Sequence, residues 1–133
     1  MFIVPTVALV DQQRRQFVKY LSNRSVLGLS GDQDSKLPLS ELAPNQDIIV
    51  MTPQILDNAL KEDIPSLSIF SLLIFDECHH TNKSHPYNQI MAHYIDELFA
   101  REGEDDINLP QVSKLVFMLN FNQRNFVLAL KCK

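Results

Sequence analysis

With 133 residues the chain has room for one domain, and a composition of 45% hydrophobic and 21% charged residues is that of a globular protein with a core. A net charge of −4 and a pI near 5.5 exclude a broad basic surface for nucleic acid, so any such contact has to be local. Cys78 and Cys132 lie far apart and suggest no disulfide framework, and no apolar run approaches the roughly 20 residues of a membrane span. Met1 to Val10 is apolar, but it lacks a basic start and a small-x-small cleavage site, carries Pro5 and runs straight into Asp11-Gln12-Gln13-Arg14-Arg15. The chain reads as cytoplasmic, in a reducing compartment.

Phe2-Ile3-Val4 reads as a short strand stopped by Pro5. Val7 to Leu21 follows as a helix, with Val7, Val10, Phe17 and Leu21 near one face and Gln12, Arg15 and Lys19 off it. Val26 to Leu29 is a second strand, and Leu39 to Leu42 a helical turn. Asp47 to Met51 is a third strand, followed by Thr52-Pro53, an N-cap with proline at the first helical position; that helix runs to about Lys61. Leu72 to Phe75 is apolar throughout, as in a strand buried on both faces. His85-Pro86 opens a helix to about Arg101, whose Tyr87, Ile90, Met91, Tyr94, Ile95, Leu98 and Phe99 form an apolar stripe, its aromatic and Met positions read as core packing. Val112 to Leu119 is a fifth strand, and Asn120 to Lys133 has no clear period. Strand and helix alternating at this spacing predict an α/β fold, a parallel sheet flanked by helices.

The chemistry concentrates where the apolar strand ends in Asp76-Glu77-Cys78-His79-His80. Two carboxylates cannot sit inside a buried strand without a large desolvation cost, so they belong at its end, facing solvent or a bound cation. In open α/β sheets ligands bind at the carboxyl ends of the strands. An Asp there anchors a nucleotide's Mg²⁺, and a following Glu can orient the water that attacks the γ-phosphate. A zinc reading of Cys78, His79, His80 and His85 is the weaker one, since neighbouring residues at a strand end point in opposite directions and no second ligand pair follows.

Asp76-Glu77-Cys78-His79 resembles the DExH box of superfamily 2 helicases. Asp47 to Leu56, Ile64 to Lys83 and His85 to Met91 together resemble the first RecA-like domain of RIG-I-like receptors, cytosolic ATP-dependent sensors of viral double-stranded RNA. The Dicer helicase module is similar at fewer positions. The resemblance covers Phe2 to Val112 and implies a RecA-like, P-loop NTPase-type helicase domain that uses ATP and Mg²⁺. It implies that Asp76 holds Mg²⁺ through water, that Glu77 polarises the attacking water, and that His79 couples the nucleotide site to the RNA side. Thr52 and Gln54 match a motif that contacts the RNA backbone, and Pro5-Thr6 matches the turn of a preceding RNA-contacting motif. Double-stranded RNA is the implied partner, with a full-length helicase or a signalling protein as a further one; no membrane is expected.

The resemblance also has gaps. The family's Gly-x-x-x-x-Gly-Lys-Ser/Thr phosphate loop should precede the first strand, and with three glycines in the chain no other segment replaces it. Gly31-Asp-Gln-Asp-Ser-Lys36 lacks the second glycine and sets two aspartates against a triphosphate. After Leu109-Pro110-Gln111-Val112 the family's Thr-Ala-Ser strand end is replaced by Ser113 to Met118, and a second RecA-like domain is expected but not present in these residues. The expected organisation is therefore a partial helicase domain over 1–112 and a divergent tail over 113–133, as in a truncated or alternatively spliced product or a gene-model fragment. Without the strand that leads into the phosphate loop, an apolar sheet edge should make the protein aggregation-prone unless a partner or a tail strand completes the sheet. The alternative reading of function is a non-catalytic isoform that binds RNA or a partner.

Overall fold

A computed structural model describes residues 1–31, 37–76, 85–101, 109–116 and 128–131, with the backbone alone for 113–116 and 128–131. Its elements are β1 (Phe2–Ile3), α1 (Val7–Tyr20), β2 (Val26–Leu29), α2 (Leu39–Leu42), β3 (Ile48–Met51), α3 (Pro53–Glu62), β4 (Leu72–Asp76), α4 (Pro86–Ala100), β5 (Gln111–Val116) and β6 (Leu128–Lys131), with short 3-10 turns at Ala43–Asn45 and Leu67–Ile69. The sheet runs β2-β3-β1-β4-β5-β6. Its first five strands are parallel and β6 pairs antiparallel to β5. This is a parallel α/β sheet flanked by helices, the partial RecA-like architecture that the sequence predicts.

Each central strand feeds two cores because its side chains alternate between faces. Ile49 and Met51 of β3, Ile3 of β1, and Leu73 and Phe75 of β4 join one cluster with Leu39, Leu56, Tyr87 and Ile90 from α2, α3 and α4. Phe2 and Val4, with Val50, join the other beneath Val10 and Phe17 of α1. Burying a side chain such as Ile3, Met51 or Leu56 fully contributes about 1.5–3 kcal/mol, so the α2–α3–α4 face, with the longer list of such residues, is the more strongly held. On the opposite face α1 sits close to β2. A Cβ on Gly28 would lie 2.9 Å from Arg14 Cδ and 3.2 Å from Val10 Cγ1, so this strand position has almost no space above it. Phe2 and Phe17 meet edge to face there, their centroids 5.3 Å apart.

Helix boundaries follow the local chemistry. Pro53 and Pro86 begin α3 and α4 at the one place where a missing N–H is harmless. His85 caps α4 by accepting a bond from the Tyr87 amide at 3.3 Å. The apolar stripe of α4 is buried only in its first half. Tyr87 and Ile90 are core, whereas Ile95, Leu98 and Phe99 are exposed at 43%, 38% and 65%, which corrects the core-packing expectation at Phe99. Of the predicted face of α1, Val10 is buried and Val7 and Leu21 are not. No helix among the described residues is long and apolar enough to cross a membrane.

Candidate nucleotide and RNA-backbone site

Three neighbouring parallel strands end level with one another. Ile3 is in register with Met51 on one side and with Phe75 on the other, and the Val4 amide extends the ladder with a 3.0 Å bond to the Met51 carbonyl. The chain then leaves β1 at Pro5-Thr6 and β3 at Thr52-Pro53, while Asp76 closes β4. Register thus gathers Pro5, Thr6, Thr52, Gln54 and Asp76, drawn from three separated motifs, along one edge of the sheet. Glu77 and His79 lie outside the described residues, as do Cys78 and His80.

Thr6 and Thr52 are N-caps with extended backbone (φ −136°, ψ 153° and φ −80°, ψ 153°), and their carbonyls accept the first helical bonds from Leu9 and Ile55. Neither hydroxyl makes a capping bond, and neither helix has an acidic residue in its first turn. Thr52 therefore holds the cap position that the sequence predicts without the side-chain bond that usually goes with it. The result is two helix N-termini, each with first-turn N–H groups and a threonine hydroxyl that makes no hydrogen bond among the described residues. Gln54, exposed in the first turn of α3, donates its side-chain amide to Asn58 Oδ1 at 2.8 Å.

Asp76 occupies the strand end, where the sequence places it facing solvent or a bound cation, and it is buried, with 4% exposure. α4 explains part of that burial. Its Tyr87 reaches across the edge and donates its hydroxyl to the Asp76 carbonyl at 2.9 Å, with a longer 3.5 Å contact to the Ile3 carbonyl. The Tyr87 ring stands edge to face on Phe75, centroids 5.5 Å apart, and lies 5.1 Å from the His85 ring. Tyr87 thus ties β4 to β1 where both strands end. Sequence reasoning treated it only as core; the missed signal is that a buried tyrosine hydroxyl needs a partner. A carboxylate at the Asp76 position is a hard oxygen donor of the kind Mg²⁺ takes, so the donor chemistry fits that ion. Among the described residues no group of three or more His, Cys, Asp or Glu side chains is placed to hold a metal ion.

Residues 1–100 match the family described as type III restriction enzyme, res subunit, a span that contains every element of this edge. The chain is also 46% identical over 114 residues to the antiviral innate immune response receptor RIG-I of Homo sapiens, an alignment covering 84% of the chain and 12% of that protein. The chain belongs to this helicase family, on its RIG-I-like and Dicer branch. The ATP-dependent RNA helicase DHX58 of Mus musculus is 34% identical over 115 residues, covering 83% of the chain and 16% of that protein. The endoribonuclease Dicer homolog 3 of Arabidopsis thaliana is 39% identical over 100 residues, covering 72% of the chain and 6% of that protein. This RIG-I-like chain thus spans a small part of the length of each relative. The family match, residues 1–100, ends before β5 begins.

Proposed function

We propose that this chain is the nucleotide- and RNA-facing part of the first RecA-like domain of a cytoplasmic, ATP-dependent RNA helicase that senses double-stranded RNA in antiviral defence. The observation that supports it is the level ending of β3, β1 and β4, which brings Thr52, Thr6 and Asp76 to one edge. In this reading Asp76 holds Mg²⁺ through water, and the ion supplies neutralisation of the triphosphate charge. Glu77 accepts a hydrogen bond from the attacking water and withdraws its proton, and His79 links that event to the RNA side. The first-turn N–H groups of α1 and α3, with the Thr6 and Thr52 hydroxyls and the Gln54 amide, receive phosphate and ribose oxygens of the RNA backbone, a sequence-independent contact.

Asp76 and Glu77 are not enough for turnover, because no segment of these 133 residues carries the Gly-x-x-x-x-Gly-Lys-Ser/Thr sequence that would bear the triphosphate's charge. The 133-residue chain alone therefore binds Mg-nucleotide weakly and does not hydrolyse it. Phosphate release measured with and without duplex RNA tests this: no stimulated release is expected, and stimulated release abolished by Glu77→Gln would overturn it. Asp76→Asn should remove whatever Mg-nucleotide affinity is present.

The alternative, a non-catalytic module that binds RNA or a full-length helicase, is favoured by one observation: β6 gives β5 a second hydrogen-bonded neighbour. That pairing supports a folding unit of 1–112 plus a tail that completes the sheet. In either reading duplex RNA binds weakly and loses affinity steeply as salt rises. Titration at two salt concentrations checks this, and binding unchanged in Thr52→Ala with Gln54→Ala defeats the assignment of those residues.

A further inference from the structure

A buried backbone carbonyl needs a donor, and the end of β4 shows an unusual source for one. On its β5 side Asp76 is in register with Leu115, so that ladder reaches the last residue of the strand. On its β1 side the register stops one residue earlier, at Phe75 with Ile3. The Ile74 amide donates to the Met1 carbonyl at 3.0 Å, so Ile74 turns its backbone polar groups toward β1. Alternate residues of a parallel strand face the same neighbour, and Asp76 therefore turns its own toward β1 as well. The donor that would continue the ladder to its carbonyl belongs to residue 5. Residue 5 is proline, which has no N–H to give.

Tyr87 stands at that gap. Its hydroxyl donates to the Asp76 carbonyl at 2.9 Å and lies 3.5 Å from the Ile3 carbonyl, on the two strands whose register has just ended. The ring is itself held in place, edge to face on Phe75 at one side and 5.1 Å from the His85 ring at another. The Tyr87 amide, bonded to His85 Nδ1, fixes the residue at the start of α4. The turn that releases β1 toward Thr6 thus removes a donor from β4, and α4 returns it.

We infer that Tyr87 is a positioning residue for the metal at this edge. By giving the Asp76 carbonyl the donor that Pro5 lacks, its hydroxyl fixes the main chain of the strand end and so the direction in which the carboxylate leaves it. Tyr87 acts through Asp76 alone, touching neither ion nor nucleotide. This rests on the reading of Asp76 as the Mg²⁺ ligand, and adds to it a residue from outside the motif that contains Asp76.

The test titrates Mn²⁺-ADP into the 133-residue chain and three variants, with bound Mn²⁺ followed by electron paramagnetic resonance. Mn²⁺ takes the same oxygen ligands as Mg²⁺. Asp76→Asn should remove the affinity. Tyr87→Phe keeps the ring and loses the donor, and should weaken Mn²⁺-ADP about fivefold or more while the circular dichroism spectrum at the titration temperature stays native. Ile64→Val trims the same core beyond the far end of α3, and should lower Tm while leaving the affinity unchanged. If Asp76→Asn weakens binding and Tyr87→Phe does not, the positioning role is overturned and the reading of Asp76 stands. Equal weakening by Ile64→Val and Tyr87→Phe also overturns that role, because the hydroxyl then acts only through stability. Native binding that is absent, or unchanged in Asp76→Asn, overturns the reading of Asp76 and this inference together.

Discussion

The two ends of the parallel strands treat their polar side chains in opposite ways. At the amino end of β2 and β3, Asp47 accepts from the Ser25 amide at 2.8 Å, the Ser25 hydroxyl at 2.9 Å and Arg24 at 3.2 Å, while its own amide donates to Ser25 Oγ at 2.8 Å. Asp63 likewise takes the Ser40 amide at 2.9 Å and hydroxyl at 2.6 Å, joining the end of α3 to α2. At the carboxyl end, the Thr6 and Thr52 hydroxyls stand at helix starts and cap nothing. A polar group saturated by its own chain holds the fold; one placed at a helix start and left uncommitted is available to a ligand. Cavity size gives no such guidance. A cleft of ≈ 300 Å³ opens at the amino end between Phe2, Phe17, Ile48, Phe70 and Ile74, away from the candidate site.

The comparison breaks first at Tyr87, the carboxyl-end side chain that is fully engaged. Tyr87→Ala should cost about 3–5 kcal/mol of stability, as for other large aromatic truncations. Tyr87→Phe should cost about 1 kcal/mol if its hydroxyl ties β4 to β1. Denaturant unfolding measures both, and a neutral Tyr87→Phe would remove the hydroxyl from the account.

Asp47 sharpens the other end. The Ser25 amide first, then the Ser25 hydroxyl, hold its carboxyl below the ordinary value of 3.8 against the opposing effect of desolvation, with the Arg24 bond and charge as smaller contributions. A depressed carboxyl stabilises the fold when ionised, so its contribution is complete above the unfolded value near 4 and fades as pH falls through the lower folded one. Asp63 has the same sign, with the Ser40 hydroxyl as its main cause. Asp47→Asn should therefore lower Tm at pH 7 and flatten the loss of Tm on acidification; a Tm–pH profile as steep as the native one would show that Asp47 is not a source of it.

Smallest in stability are Thr6→Ala and Thr52→Ala, expected to change it by less than about 0.5 kcal/mol because no capping bond is lost. Duplex RNA affinity should nonetheless drop about fivefold per lost hydroxyl contact. A full capping penalty, with RNA affinity intact, would erase the distinction between the two ends.

Element order was legible because periodicity and punctuation agree. Val26 to Leu29 and Leu39 to Leu42 fall where the sequence places them, and the proline-led starts of α3 and α4 are where they should be. What the sequence did not reveal is tertiary. The exposed second half of the α4 stripe has the same period as its buried half, so nothing local separates Ile90 from Ile95. β6 was unreadable because Leu128 to Lys131 has no strong alternation and its pairing partner is another strand. For the site, residue types and order were readable and the register was not: only the pairing of Ile3 with both Met51 and Phe75 sets Thr6, Thr52 and Asp76 side by side.

The same register dictates the order in which the domain can assemble. Among the described strands β1 precedes the others in the chain, yet it sits in the middle of the sheet, where Phe2 pairs with Val50 and with Ile74. On a ribosome Phe2 and Ile3 must wait for these partners until β3 and then β4 have emerged. The pairs β2–β3 and β4–β5 can form earlier over shorter separations, leaving two half-sheets that close only when β1 is captured between them. Pairing at such separation is a feature of slow folding. It marks the capture of Phe2 and Ile3 as the step at which an unfinished chain is most exposed to misassembly.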